Sequence, residues 1–187
     1  MAVTQDRVEA GTALRLDSVR RFSLPVSNLD RAELFYTHVI GAKFLRRTEP
    51  AQVSREEAAY PELHVNWAGI FDVQLVKQGW GEPTLRQAHP HHAFSTKGSQ
   101  IDRWQDHLKS WGVPSVIVCR QHGKKGLGDV CSVELYFHDP DGNPLELDAN
   151  DYIFSERTIW APYDHADIEY HGSHWWDEHK GLFTPHS

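Results

Sequence analysis

Cysteine is nearly absent from this sequence. Cys119 and Cys131 are the only two, too few for a disulfide framework or a zinc knuckle. A reducing, cytoplasmic setting is the expectation that follows. No apolar run approaches the roughly 18 residues of a membrane-spanning helix, and the first residues carry no apolar stretch of the kind found in secretory signals. No membrane partner is expected. Basic runs are also missing, the longest being Lys124-Lys125, and the net charge is −7. Both facts argue against a nucleic-acid surface.

The 187 residues are 40% hydrophobic and 11% aromatic. That supports a real core in one domain or in two small fused modules. Periodicity favours two similar halves. In the first, Val19 to Val26 reads as a strand. Asn28 is placed to cap a helix from Leu29 to Ile40, with Ala32, Phe35, Tyr36, Val39 and Ile40 on its apolar face. Gly41 ends it. A strand from Lys43 to Arg46 follows, then a hairpin with arms Leu63–Trp67 and Phe71–Val76 turning at Ala68-Gly69. The second half repeats the order. His91 to Thr96 is a strand, and Ser99 is the expected cap of a helix whose stripe is Ile101, Trp104, Leu108 and Trp111. Gly112 and Pro114 stop that helix, and Val116 to Arg120 is the next strand. Leu29-Asp30-Arg31-Ala32 and Ile101-Asp102-Arg103-Trp104 mark the same point in the two units. The expected fold class is α+β: paired βαβββ modules forming an open, cup-shaped mixed sheet. The boundaries are a lead over 1–15, modules over 16–80 and 88–150, and a C-terminal extension over 151–187. That extension holds Trp160, Tyr163, Tyr170, Trp175, Trp176 and Phe183, too many large apolar groups for a disordered tail. It should pack on the body.

Tyr136-Phe137-His138-Asp139-Pro140-Asp141-Gly142-Asn143-Pro144-Leu145-Glu146-Leu147 reads as strand, tight turn and strand, with turn residues at its centre. Tyr136 and Glu146 fall on opposite arms. With His91-His92-Ala93-Phe94 upstream, this stretch resembles the metal-site half of the vicinal-oxygen-chelate superfamily. The resemblance implies a divalent metal, iron(II) first and manganese(II) or another next, held by His91 and Glu146 from the second module. Two imidazoles and a carboxylate would leave open positions for substrate. The first-module ligand, normally His, falls on Arg21, a guanidinium that cannot ligate in the usual way. Gln74 occupies the position that is a ligand in glyoxalase- and epimerase-type members. Gln74, His91 and Glu146 form the implied set, with Arg21 as an anion clamp. His92 falls on the opposite strand face by period-two alternation. It is a secondary candidate for substrate contact, together with His64.

Within the superfamily, the strand His91 to Thr96 and the tail residues Asp151-Tyr152, Thr158-Ile159-Trp160 and Trp175-Trp176 are similar to homoprotocatechuate-type extradiol dioxygenases. That implies ring cleavage of a small aromatic diol or related oxygenated compound, with Tyr136 as a hydrogen-bond donor beside the metal, and a homodimer. The chain departs from this pattern. Phe71 stands where an acid–base His is expected, and Leu127 where the glycine-rich loop should carry His, although His122 is close by. Gly172, Ser173 and His174 replace the arginines expected before Trp175. Two alternatives stand beside the dioxygenase: a metal-dependent lyase, isomerase or epimerase, and a metal-free small-molecule binder using Arg21.

Overall fold

The computed structural model describes residues 21–48, 62–67, 71–77, 92–119, 125–160, 168 and 172–186. The strand β1 (Arg21–Val26) leads into helix α1 (Leu29–Leu34), followed by β2 (Lys43–Thr48), β3 (Glu62–Trp67) and β4 (Phe71–Lys77). Then come β5 (His92–Ser95), helix α2 (Gly98–Ser110), β6 (Ser115–Cys119), β7 (Val130–His138) and β8 (Pro144–Ile153). The extension contributes β9 (Thr158–Trp160), helix α3 (Gly172–His179) and a 3₁₀ turn over Lys180–Leu182. The turn at Ala68-Gly69 and the loop start at Gly123 lie outside the described residues.

Strands β1 to β4 form one sheet in the order β1-β4-β3-β2, and the second forms β5-β8-β7-β6-β9. The first four places follow the same permutation in both. β1 runs parallel to β4, and β5 parallel to β8. The repeat read from the sequence is therefore a repeat of topology, and the class is α+β with two βαβββ units. β9 is added in parallel to the far edge of β6.

Alternation sorts the second sheet into two faces. Cys131, Val133, Leu135 and Phe137 on β7, Leu145, Leu147 and Ala149 on β8, and Ile117 and Cys119 on β6 all join the main core with Ile101 and Leu108 of α2. Burial pushes the Cys131 thiol up to about 11, with Cys119 beside it adding to the effect. It stays protonated and inert.

Two local expectations need correcting. The α2 N-cap is Lys97 rather than Ser99, and it makes no side-chain capping bond. Instead Asp151 on β8 accepts from the Gly98 amide at 2.6 Å, so a carboxylate distant in sequence supplies the oxygen that Ser99 was expected to give. The first helix also changes pitch. After Leu34 it widens into a π turn, Phe35–Val39. Here the Ile40 amide bonds the Phe35 carbonyl at 3.1 Å, and the Thr37 hydroxyl donates back to the Glu33 carbonyl at 2.7 Å. Gly41 then takes φ +75°, the left-handed turn that ends the helix.

Several contacts among the described residues join the modules. Phe22 on β1 stacks on the His92 ring of β5, with centroids 4.6 Å apart and planes 10° apart. Residues at the start of α1 also grip the β7–β8 turn. Asp141 Oδ1 accepts from the Ser27 amide (2.8 Å), the Ser27 hydroxyl (2.7 Å) and Arg31 Nη2 (2.6 Å). Next to it, Asp139 accepts from the Asp141 and Asn143 amides, from Asn143 Nδ2 and from the Tyr36 hydroxyl, at 2.7 to 2.9 Å. Burial, then the neighbouring Asp141 charge, push the Asp139 carboxyl up to about 7, with the donors from Asn143 and Tyr36 pulling the other way.

The described residues of the extension pack on the body. Trp175 is 1% exposed, donates its indole N–H to the Trp111 carbonyl at 2.8 Å, and meets Phe35 edge-on at 5.6 Å. His179 stacks on it at 4.8 Å. Further along, His186 bonds the buried Glu33 carboxylate through both its amide and Nδ1, each at 2.9 Å, and stacks on Phe44.

Candidate active site on the face away from the helix

The second face of the second sheet carries the other alternation set. Glu134 and Tyr136 on β7 lie opposite Asp148 and Glu146 on β8. Val116 and Val118 of β6 sit alongside, with Val118 next to Ile159 of β9. Val118, Tyr136 and Ile168 form a separate apolar cluster, with Val116 and Ile159 packed against it. The extension therefore walls one side of this face.

Glu146 is 5% exposed and Tyr136 2%. Their strands pair them directly across the ladder, which is the relation inferred from their places on the hairpin arms. The Tyr136 hydroxyl donates to Glu134 in a very short hydrogen bond. Glu134 was missed in the sequence. The signal lay in β7 itself, where Glu134, Tyr136 and His138 alternate with Val133, Leu135 and Phe137.

The remaining candidates fall in three groups. His92 pairs in register with Leu145, a core residue, and its ring stacks on Phe22. It therefore sits on the face opposite Glu146, as alternation implied, and the structure gives it a packing contact between modules where substrate contact had been a secondary expectation. Arg21, His64 and Gln74 are placed by their backbones only. Ser23, Gln74 and His64 share one row across β1, β4 and β3, while Arg21 pairs with Asp72. His91 and His122 lie outside the described residues, as do the side chains of Arg21, His64 and Gln74.

A carboxylate as buried as Glu146 is costly unless positive charge or donors meet it. Carboxylate oxygen combined with imidazole nitrogen suits a divalent cation. As far as Glu146 reaches, the site fits one. Among the described residues, no group of three or more His, Cys, Asp or Glu side chains is placed to hold a metal ion, so the remaining donors of the implied set would come from His91 and Gln74.

A profile of the Glyoxalase/Bleomycin resistance protein/Dioxygenase superfamily matches residues 15–147. The chain belongs to that superfamily. Among curated members, it is 28% identical over 149 residues to the metallothiol transferase FosB of Bacillus licheniformis, covering 80% of this chain and 84% of the relative. Among solved structures, a glyoxylase/bleomycin resistance protein/dioxygenase domain from Frankia sp. superposes with TM-score 0.55 at 22% identity, over 73% of this chain and 99% of that one. The fosfomycin resistance protein FosX of Listeria monocytogenes, solved with Mn(II) and sulfate, superposes with TM-score 0.52 at 17% identity, over 72% and 93%. These structures establish the fold. The curated matches are named as transferases, so the superfamily holds while the extradiol branch does not gain support. Trp175, one of the tail residues behind that resemblance, packs against Trp111 and Phe35.

Proposed function

We propose that this chain is a metal-dependent enzyme that transfers a group to a small, oxygen-rich molecule, in the sense of the metallothiol transferase name carried by its FosB relatives. The observation that carries the reading is the buried Glu146 facing Tyr136 across the β7–β8 ladder, on the side of the sheet away from α2. Glu146, His91 and Gln74 would hold the cation, with manganese(II) favoured by the FosX complex and iron(II) by the earlier resemblance. A divalent cation supplies Lewis-acid polarisation of a substrate oxygen.

The chain's own groups do the rest. Tyr136 gives its one proton to Glu134; turning that hydroxyl from Glu134 toward charge developing beside Glu146 would make it the proton donor. Val116, Val118, Ile159 and Ile168 form an apolar wall that keeps water from this part of the site. Arg21, by its place on β1, would pair with an anionic part of the substrate. A homodimer is the expected assembly, and the cytoplasm the expected setting. The ring-cleaving reading keeps one point in its favour, the position of Tyr136 beside Glu146.

The deciding experiment measures manganese or iron per chain in protein purified without chelator, beside Glu146→Gln, then assays two reactions. Near-stoichiometric metal lost in the variant, with thiol-dependent consumption of fosfomycin, supports the transferase. Oxygen uptake with catechols would move the chain to the dioxygenases. No metal in either protein after anaerobic reconstitution would overturn both.

A further inference from the structure

A second cavity lies on the opposite side of the second sheet, where the π turn after α1 meets α2. Its volume is about 320 Å³, within the range of about 300–1,000 Å³ common for small-molecule pockets. His38 and Gly41 line it from the first module, and Gln100, Arg103, Trp104 and His107 from α2. The α2 residues recur at i, i+3, i+4 and i+7, so they form one stripe. The acids of that helix are engaged elsewhere: Asp102 with the Tyr152 hydroxyl at 2.8 Å and Asp106 with Arg157 at 2.6 Å. Among the described residues that line the cavity there is no carboxylate, and in a chain of net charge −7 this is a locally basic hollow.

The hydrogen bonds fix what each imidazole offers. The Thr37 hydroxyl spends its one proton on the Glu33 carbonyl at 2.7 Å. His38 Nδ1, 2.8 Å from the Thr37 hydroxyl oxygen, must therefore be the donor, and neutral His38 presents Nε2 as an acceptor. His107 Nε2 lies 2.8 Å from the Val39 carbonyl, which only accepts. Nε2 therefore carries the proton, and neutral His107 presents Nδ1 as an acceptor. Arg103 contributes a permanent positive charge steadied by Gln100 at 3.3 Å. Trp104 contributes a flat wall, set edge-to-face against the His107 ring at 5.8 Å and 84°. At Gly41, a Cβ would meet nothing within 4 Å, so the cavity is open there.

The geometry points to a second ligand site: the α1–α2 cavity binds a small aromatic carboxylate that also carries a hydroxyl or amine. The carboxylate pairs with Arg103 and the ring lies against Trp104; a hydroxyl gives its one proton to the His38 imidazole, and an amine reaches His107 as well. This site is separate from the Glu146 face, because α2 packs on the other side of the sheet.

The probe is 4-hydroxybenzoate, titrated into the full chain by calorimetry and followed by backbone and indole amide NMR shifts. The expected result is saturable binding, with shifts centred on Gly41, Gln100, Arg103 and the Trp104 indole. Arg103→Ala, at an exposed position, should weaken binding by at least about tenfold, and His38→Ala should weaken it to a lesser degree. Glu146→Gln should leave it unchanged. Benzoate, which lacks the hydroxyl, should bind more weakly than the probe to the unaltered protein and equally well to His38→Ala. Absence of saturable binding, shifts centred on β7 and β8, or an Arg103→Ala variant that binds as tightly as the unaltered protein would each overturn the assignment.

Discussion

Arg31→Met tests the grip between α1 and the β7–β8 turn. The Arg31 side chain is 13% exposed and Asp141 1%. Removing the guanidinium takes away a cation bonded to Asp141 and leaves the two Ser27 donors. Stripping one partner from a buried ion pair typically costs about 3–5 kcal/mol, and that is the expected loss at pH 8. The neighbouring carboxyl gives the loss a pH dependence. Asp139 titrates at about 7 in the folded chain against an ordinary 3.8, so folding favours its protonated form. Its contribution to stability is complete below pH 3.8 and is lost as pH rises through about 7. Between those values the unaltered chain loses up to about 1.4 kcal/mol per pH unit from this group. Without Arg31 the Asp141 charge beside Asp139 is less opposed and pushes the Asp139 carboxyl further up, so the cost of Arg31→Met should shrink as pH falls from 8 to 5. Adding Asp141→Asn should recover part of the loss by removing the unpaired charge. Urea unfolding at four pH values reads all of this, provided the m-values agree. A loss below about 1 kcal/mol at pH 8, equal to that at pH 5, would refute the argument that this ion pair is buried and binds the modules.

Two further changes probe packing. Trp175→Ala should cost about 3–5 kcal/mol in urea unfolding, since the indole is 1% exposed and hydrogen-bonded; a loss near zero would mean the tail is not part of the core. Gly98→Ala would ordinarily stabilise a helix by up to about 1 kcal/mol. Here its Cβ would lie 2.4 Å from the Asp151 backbone, so a net loss of about 1–3 kcal/mol is expected, and a thermal midpoint raised by the substitution would contradict that contact.

The repeat was legible because it is local. Asn28 caps α1 through the Arg31 amide at 3.1 Å, and Gly41 and Gly112 take positive φ where helices had to stop. Val133, Leu135 and Phe137 alternate along β7 and all join the core. What escaped was long-range or cooperative. Asp151 replaces Ser99 as the oxygen at the start of α2 from a strand 53 residues away. No spacing rule distinguishes a π turn at Phe35–Val39 from more α-helix. Arg31 entered the sequence reading only as part of the repeat marker, and its partner Asp141 lies 110 residues away in the other module. At the candidate site, the pairing of Tyr136 with Glu146 was readable from the hairpin, since a tight turn determines which residues face each other. Glu134 was hidden because a carboxylate on a half-buried strand usually signals solvent.

Strand edges recruit other strands, and β6 would offer one. Its outer ladder is occupied by only three residues, with Thr158, Ile159 and Trp160 pairing Ile117, Val118 and Cys119. The segment that walls the Glu146 face thus also acts as a stopper against sheet growth from one copy into the next. A chain cut before Thr158 would lose its wall and gain an adhesive margin in one step, so loss of catalysis and onset of aggregation should arrive together.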